Sequence, residues 1–121
     1  MSDFAVECQR LFDLYVASYR SGDAAGCAAI FSPDAEMYSP FGPPAIGRDA
    51  IAAQHRDWVA EGADTKKLDV VSSGQSGALG WCVATFSEGQ TGAGNTLAVL
   101  ARNAAGDWQI IRCSLTEGED S

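Results

Sequence analysis

The chain has 121 residues, 46% hydrophobic and 20% charged, with a net charge of −8. That length fits one domain with a single sizeable core, and the acidity opposes binding to phosphate backbones or anionic lipid. No apolar run approaches the ~20 residues of a spanning helix, and no basic region leads into an apolar one at the N-terminus, so a cytoplasmic protein is expected.

In chain order, Phe4, Cys8, Leu11, Phe12, Tyr15 and Tyr19 repeat at the spacing of one helix face, with Asp3 as a plausible N-cap. Ser21-Gly22 ends that helix, and Asp23 caps a second, shorter one expected to run to Phe31. Ser32-Pro33-Asp34 is read as a break, followed by a short strand from Ala35 to Tyr38. The stretch Met37–Asp49 holds Pro40, Pro43, Pro44, Gly42 and Gly47. It is read as a shaped connector that closes one end of a cavity. After Gly47-Arg48 a third helix carries Ile51, His55, Trp58 and Val59 on one face and is stopped by Gly62.

From Lys67 the pattern changes to strands, at Leu68–Ser72, Leu79–Ser87, Asn95–Arg102 and Trp108–Leu115, separated by Gly-rich turns. Short connections imply an antiparallel meander. Period two assigns Asn95, Leu97, Val99 and Ala101, together with Ile111, Cys113 and Leu115, to the inner face. Thr96, Ala98, Leu100 and Ile110 are assigned to an outer face whose apolar residues a partner subunit would cover. The expected fold is α+β, with three N-terminal helices packed on a curved antiparallel sheet and helices covering one sheet face. A single domain over residues 1–116 and an acidic tail over 117–121 account for the whole chain. Cys8, Cys27, Cys82 and Cys113 form no C-x-x-C pair and meet only one histidine. They read as buried reduced thiols, and neither a metal nor another cofactor is expected.

Four pieces in this order resemble the nuclear-transport-factor-2-like cone fold, and within it the ketosteroid-isomerase-like and SnoaL-like proteins. They are Tyr15 with Ser21-Gly22-Asp23-Ala24-Ala25, Phe31-Ser32-Pro33-Asp34-Ala35, Ser39-Pro40-Phe41-Gly42-Pro43-Pro44 with Gly47-Arg48-Asp49-Ala50-Ile51, and Ala105-Gly106-Asp107-Trp108-Gln109-Ile110-Ile111. The resemblance covers Phe12 to Glu117. It implies a cone with an apolar interior and a homodimer formed through the sheet. In ketosteroid isomerases a first-helix tyrosine and a protonated late-strand aspartic acid donate to the oxyanion, while another aspartate moves the proton. Carried onto this chain, the tyrosine is Tyr15, but the proton-moving aspartate is replaced by Ser39 and the late-strand acid falls at Val99. With both acids missing, ordinary ketosteroid isomerase activity is not expected.

The candidate catalytic residues are Tyr15, as hydrogen-bond donor, and His55, the only histidine and the only credible base. Tyr19, Ser39, Phe41, Trp58, Trp81, Asn95, Val99 and Cys113 are the candidate ligand-binding residues. A Ser39-His55-Asp57 triad fails, because positions 55 and 57 point about 200° apart on a helix. The resulting expectation is a small-molecule-binding protein with an apolar pocket. If it is an enzyme, isomerase, cyclase or hydratase-like lyase chemistry fits best. The alternatives are a non-catalytic ligand-binding or dimeric scaffold module, and a cone filled by Trp58, Trp81 and Phe41.

Overall fold

The computed structural model describes residues 3–40, 42–60, 66–88 and 93–117. Helix α1 spans Asp3–Arg20 and α2 spans Ala24–Ala28; a hairpin of β1 (Phe31–Ser39) and β2 (Gly42–Ile46) then leads into α3 (Arg48–Ala60). Strands β3 (Lys66–Ser76), β4 (Leu79–Glu88), β5 (Ala93–Arg102) and β6 (Trp108–Glu117) follow, and all six strands join one sheet in the order β2-β1-β6-β5-β4-β3. The expected α+β architecture is present, although α3 follows the first hairpin rather than preceding the sheet. The meander from β3 to β6 is antiparallel, whereas β1 lies parallel to β6. No helix of the described residues is long and apolar enough to cross a membrane.

Two expectations about the first hairpin change. The second helix ends at Ala28, and Phe31 opens β1 instead of closing α2. β1 then runs through Pro33, which is tolerated because its pairing with β6 is irregular between Phe31 and Glu36. The Pro-rich stretch is largely strand. Pro43 and Pro44 are exposed on β2, an edge strand whose pairing to β1 shifts register, the setting in which a missing N–H costs least. The expected stop at Gly62 lies outside the described residues.

Helix α1 sits on the sheet in phase with β4. Four helical residues rise about 6 Å and two strand residues about 6.6 Å, so Phe4 and Cys8 advance in step with Gly80 and Cys82. A Cβ at Gly80 would stand 2.3 Å from a ring carbon of Phe4, so only glycine leaves room for that ring. One turn on, the thiols of Cys8 and Cys82 share a hydrogen bond. That bond and burial hold the Cys82 thiol well above its ordinary range. All four cysteines are buried and unbridged, as expected. Gln9 fixes the helix laterally: its Nε2 donates to the Leu68 carbonyl at 3.0 Å and its Oε1 accepts from the Val70 N–H at 2.8 Å.

The face assignment is overturned for β5 and for Ile110, whereas Cys113 and Leu115 of β6 face inward as expected. Thr96, Ala98 and Leu100 are the buried side of β5, and Asn95 and Leu97 are exposed. In β6, Leu100 pairs with Ile110 and Val99 with Arg112, which leaves Ile111 as an extra residue. This bulge resets the alternation, so Ile110 and Cys113 both face inward. A strict period of two cannot see it. The outer face is apolar through other residues, including Trp81, Leu97 and Val71.

Candidate functional site

Two helix faces build the site. On α1, Phe12, Tyr15 and Tyr19 follow the spacing that buries Phe4 and Cys8. On α3, Ile51 and His55 lie one turn apart and are the fully buried residues. Arg48, at the start of α3, donates from Nε at 3.0 Å and Nη2 at 2.6 Å to the carbonyl of Phe31. This fork ties the helix to the start of β1 and sets the depth at which His55 enters the core.

The structure brings the two candidate catalytic residues together. Tyr15 Oη lies 2.7 Å from His55 Nε2, and His55 Nδ1 lies 2.8 Å from the Ile51 carbonyl oxygen. A carbonyl only accepts, so Nδ1 carries the hydrogen. In the neutral ring Nε2 then holds a lone pair, and the Tyr15 hydroxyl donates to it. Aromatic rings surround this imidazole. Trp58 stands 4.8 Å from it, Tyr15 5.3 Å, Tyr19 6.2 Å and Phe31 6.5 Å, measured between ring centroids. His55 is 0% exposed.

Beside this pair lies a cavity of ≈ 20 Å³ for the centres of water-sized spheres, about the room for a single water. Tyr15, Thr96 and Cys113 line it together with apolar side chains that include Phe12, Phe31 and Phe86. No charged side chain is among the lining residues. Among the described residues this cavity is nearly filled by the side chains that line it; Trp58 packs beside it against His55, Trp81 does not reach it, and Phe41 lies outside the described residues.

Of the expected binding residues, Tyr19 and Trp58 pack around His55, and Cys113 lines the cavity. Ser39 ends β1, half-buried and away from the lining. Phe41 lies outside the described residues. Three assignments are corrected. Trp81 is 43% exposed on the outer face of β4, with its indole over Gly74 of β3. Asn95 and Val99 also project from the outer face, since the buried parity of β5 is that of Thr96, Ala98 and Leu100. Asp57 is exposed, in keeping with the rejected triad.

The residue that the sequence reading missed is Thr96. It is 5% exposed and it lines the cavity. A signal was available: Cys82, Ala84, Ala98 and Leu100 form a consistently apolar parity across β4 and β5, and Thr96 shares it. Among the described residues no cluster of His, Cys, Asp or Glu could hold a metal ion.

The family model of the SnoaL-like domain matches residues 12–111. The chain belongs to this family. Solved structures share the fold at low identity. A ketosteroid isomerase-like protein from Erwinia carotovora atroseptica superposes with a TM-score of 0.78 at 20% identity, over 98% of this chain and 99% of that one. An NTF2-like protein with a cystatin-like fold from Novosphingobium aromaticivorans gives 0.72 at 22% identity, over 95% and 82%. ActVI-ORFA from Streptomyces coelicolor gives 0.71 at 19% identity, over 96% and 98%. No curated protein matches the sequence significantly. At these identities the likeness carries the fold of the SnoaL-like domain, and its chemistry must be argued from the side chains present.

Proposed function

We propose that this SnoaL-like protein takes up a small neutral molecule in its cone, and that Tyr15 and His55 act on it as one acid-base unit. The observation that carries this reading is the 2.7 Å contact of Tyr15 Oη with His55 Nε2, oriented by the Ile51 carbonyl behind the ring. Because Nε2 already accepts the phenolic proton, His55 works through Tyr15. As a proton leaves the bound molecule for Tyr15 Oη, the tyrosine passes its own proton to Nε2. This is the logic of a nucleophile or base oriented by a third group, here the backbone carbonyl of Ile51. It suits isomerase or cyclase chemistry at an acidic C–H or O–H. An anion is disfavoured, since the lining offers no charged partner to offset its desolvation.

The test begins with a thermal-shift panel of apolar ketones, phenols, lactones and steroids. A ligand at about 100 times its dissociation constant adds roughly 2.7 kcal/mol of stability. Within the class that binds, His55→Gln is expected to abolish turnover while the far-ultraviolet spectrum stays native. Turnover retained in that variant removes His55 from the mechanism.

A second reading is favoured by the cavity volume and by the exposed Trp81, Leu97 and Val71 of the outer face. In it the cone is a rigid filling and the protein is a homodimeric scaffold held through the sheet. A panel without a single hit, together with a dimer that Trp81→Glu converts to monomer, selects this reading.

A further inference from the structure

The two edges of the sheet are built differently. β2 forms one edge with exposed Pro43 and Pro44, which remove backbone donors and discourage a further strand. β3 is the last strand at the other edge, 11 residues long and without proline. Its two halves differ as well. Before the register shift between Val70 and Ser72, the Leu68 carbonyl and the Val70 N–H point away from β4, and the Gln9 amide takes both, as a neighbouring strand would. After it, β3 pairs with β4 from Ser72↔Val83 to Ser76↔Leu79 around the two-residue turn Gly77-Ala78. Residues flanking such a turn bond across it, and alternate residues before them, Gly74 and Ser72, do the same. Ser73 and Gln75 therefore turn their N–H and C=O groups away from β4, toward the side on which no other described strand lies. Beside them Val71 is 61% exposed, and the Trp81 indole over Gly74 is 43% exposed.

Charge decides what can approach this edge. The chain carries −8, so copies of it repel, yet no residue from Val70 to Ser87 is charged. At this hairpin two copies meet without setting carboxylate against carboxylate. An edge strand also matches itself, because about a two-fold axis it presents the same donors and acceptors in reverse order. We infer that β3 is a self-pairing edge, through which two copies of the chain join their sheets antiparallel about a two-fold axis at Ser73. Ser73 of each copy exchanges both backbone hydrogen bonds with Ser73 of the other, and Val71 stands beside Gln75 of the second copy. The pairing stops at Val70, where Gln9 holds the edge, and at Gly77, where the chain turns back. It covers part of Val71 and Trp81. This surface is distinct from the outer sheet face of the scaffold reading, and it needs no ligand in the cone.

The experiment is sedimentation equilibrium of the full chain from about 5 to about 500 µM. A dimer is expected within that range, tighter at high salt because screening weakens the repulsion of the net charge. Ser73→Pro deletes a donor that β4 does not use, so the unfolding midpoint of the monomer is expected to hold while the dimer weakens at least about tenfold. Gln75→Lys places a charge on the edge without touching the backbone, and about a fivefold weakening is expected. Where Ser73→Pro lowers the unfolding midpoint, Gln75→Lys carries the test. Amide exchange locates the contact: the Ser73 N–H is expected to slow as concentration rises, whereas the Gly74 N–H, bonded to β4, is slow throughout. A chain that stays monomeric at the highest concentration overturns the inference. So does a dimer that Trp81→Glu dissociates but Ser73→Pro and Gln75→Lys leave intact, since the sheet face then holds the copies together.

Discussion

Helix α1 carries one apolar face, and its two halves do different work. Near the N-terminus Phe4 and Cys8 meet Gly80 and Cys82, small residues on a strand that keeps step with the helix. The one polar contact among these four residues is the weak bond between the two thiols. Toward the C-terminus Tyr15 and Tyr19 meet His55, and a hydroxyl, an imidazole and a carbonyl must satisfy one another in sequence. The difference teaches that one helical repeat can serve both purposes: shape alone decides the first contact, whereas the second also fixes where a proton sits. The first half should respond to changes in volume, the second to changes in hydrogen-bonding capacity.

The largest effect is expected where volume rules. Phe4→Ala should cost about 3–5 kcal/mol in urea unfolding, because the ring is buried between Gly80 and Trp108, whose centroid lies 4.8 Å away. Gly80→Ala should cost about 1–3 kcal/mol by overpacking the same contact. The double variant should fall well short of the sum, since both changes act on one contact. Additive losses would break the account of the in-phase helix and strand.

Next comes the polar half. His55→Leu fills a similar space but leaves the Tyr15 hydroxyl buried without its acceptor, so a loss of about 1–3 kcal/mol is expected. Adding Tyr15→Phe to that variant should recover part of the loss, and the recovery is the signature of a hydrogen-bond cost rather than a packing cost. No recovery would place His55 with the volume-ruled residues and dissolve the comparison.

The thiol contact gives a pH test. Cys82 is held above its ordinary range by its bond to Cys8 and by burial, so the folded chain keeps a proton that the unfolded chain releases near pH 8.5. Above that pH the folded state binds more protons than the unfolded one, and stability therefore falls as pH rises. Between about pH 7.5 and about pH 9.5 Cys82 should account for about 1 kcal/mol of that fall. The urea midpoint of Cys82→Ala should accordingly show the smaller decline. The smallest effect is expected at the surface. Arg112 and Glu36 approach within 3.4 Å on the outer face, with the arginine half exposed, so Glu36→Gln should shift unfolding by no more than about 0.5 kcal/mol.

Tyr15 and His55 were both legible as buried helical positions from their spacing, and Asp23 as a cap is realised by its side chain accepting from the Gly26 N–H at 3.0 Å. Trp81, Asn95 and Val99 were misplaced for one physical reason. A strand's alternation is visible in the sequence, but which parity is buried depends on what packs against it, and both parities of β5 carry apolar residues. The bulge at Ile111 hid the matter further, since it put Ile110 and Cys113 on one face in defiance of simple alternation.

By itself the sequence determined the helical faces, the four strands of the meander and the buried thiols, because these follow from local periodicity, capping and turn chemistry, and its motifs carried the resemblance to the SnoaL-like family. Only the tertiary structure decided that Thr96 faces the cavity, that the side chains lining that cavity leave room for about one water, and that the Tyr15 hydroxyl meets His55. Those outcomes depend on which side of a sheet a helix covers and on 40 residues of chain separating the two partners of one hydrogen bond. Neither is written in the identity of any one residue.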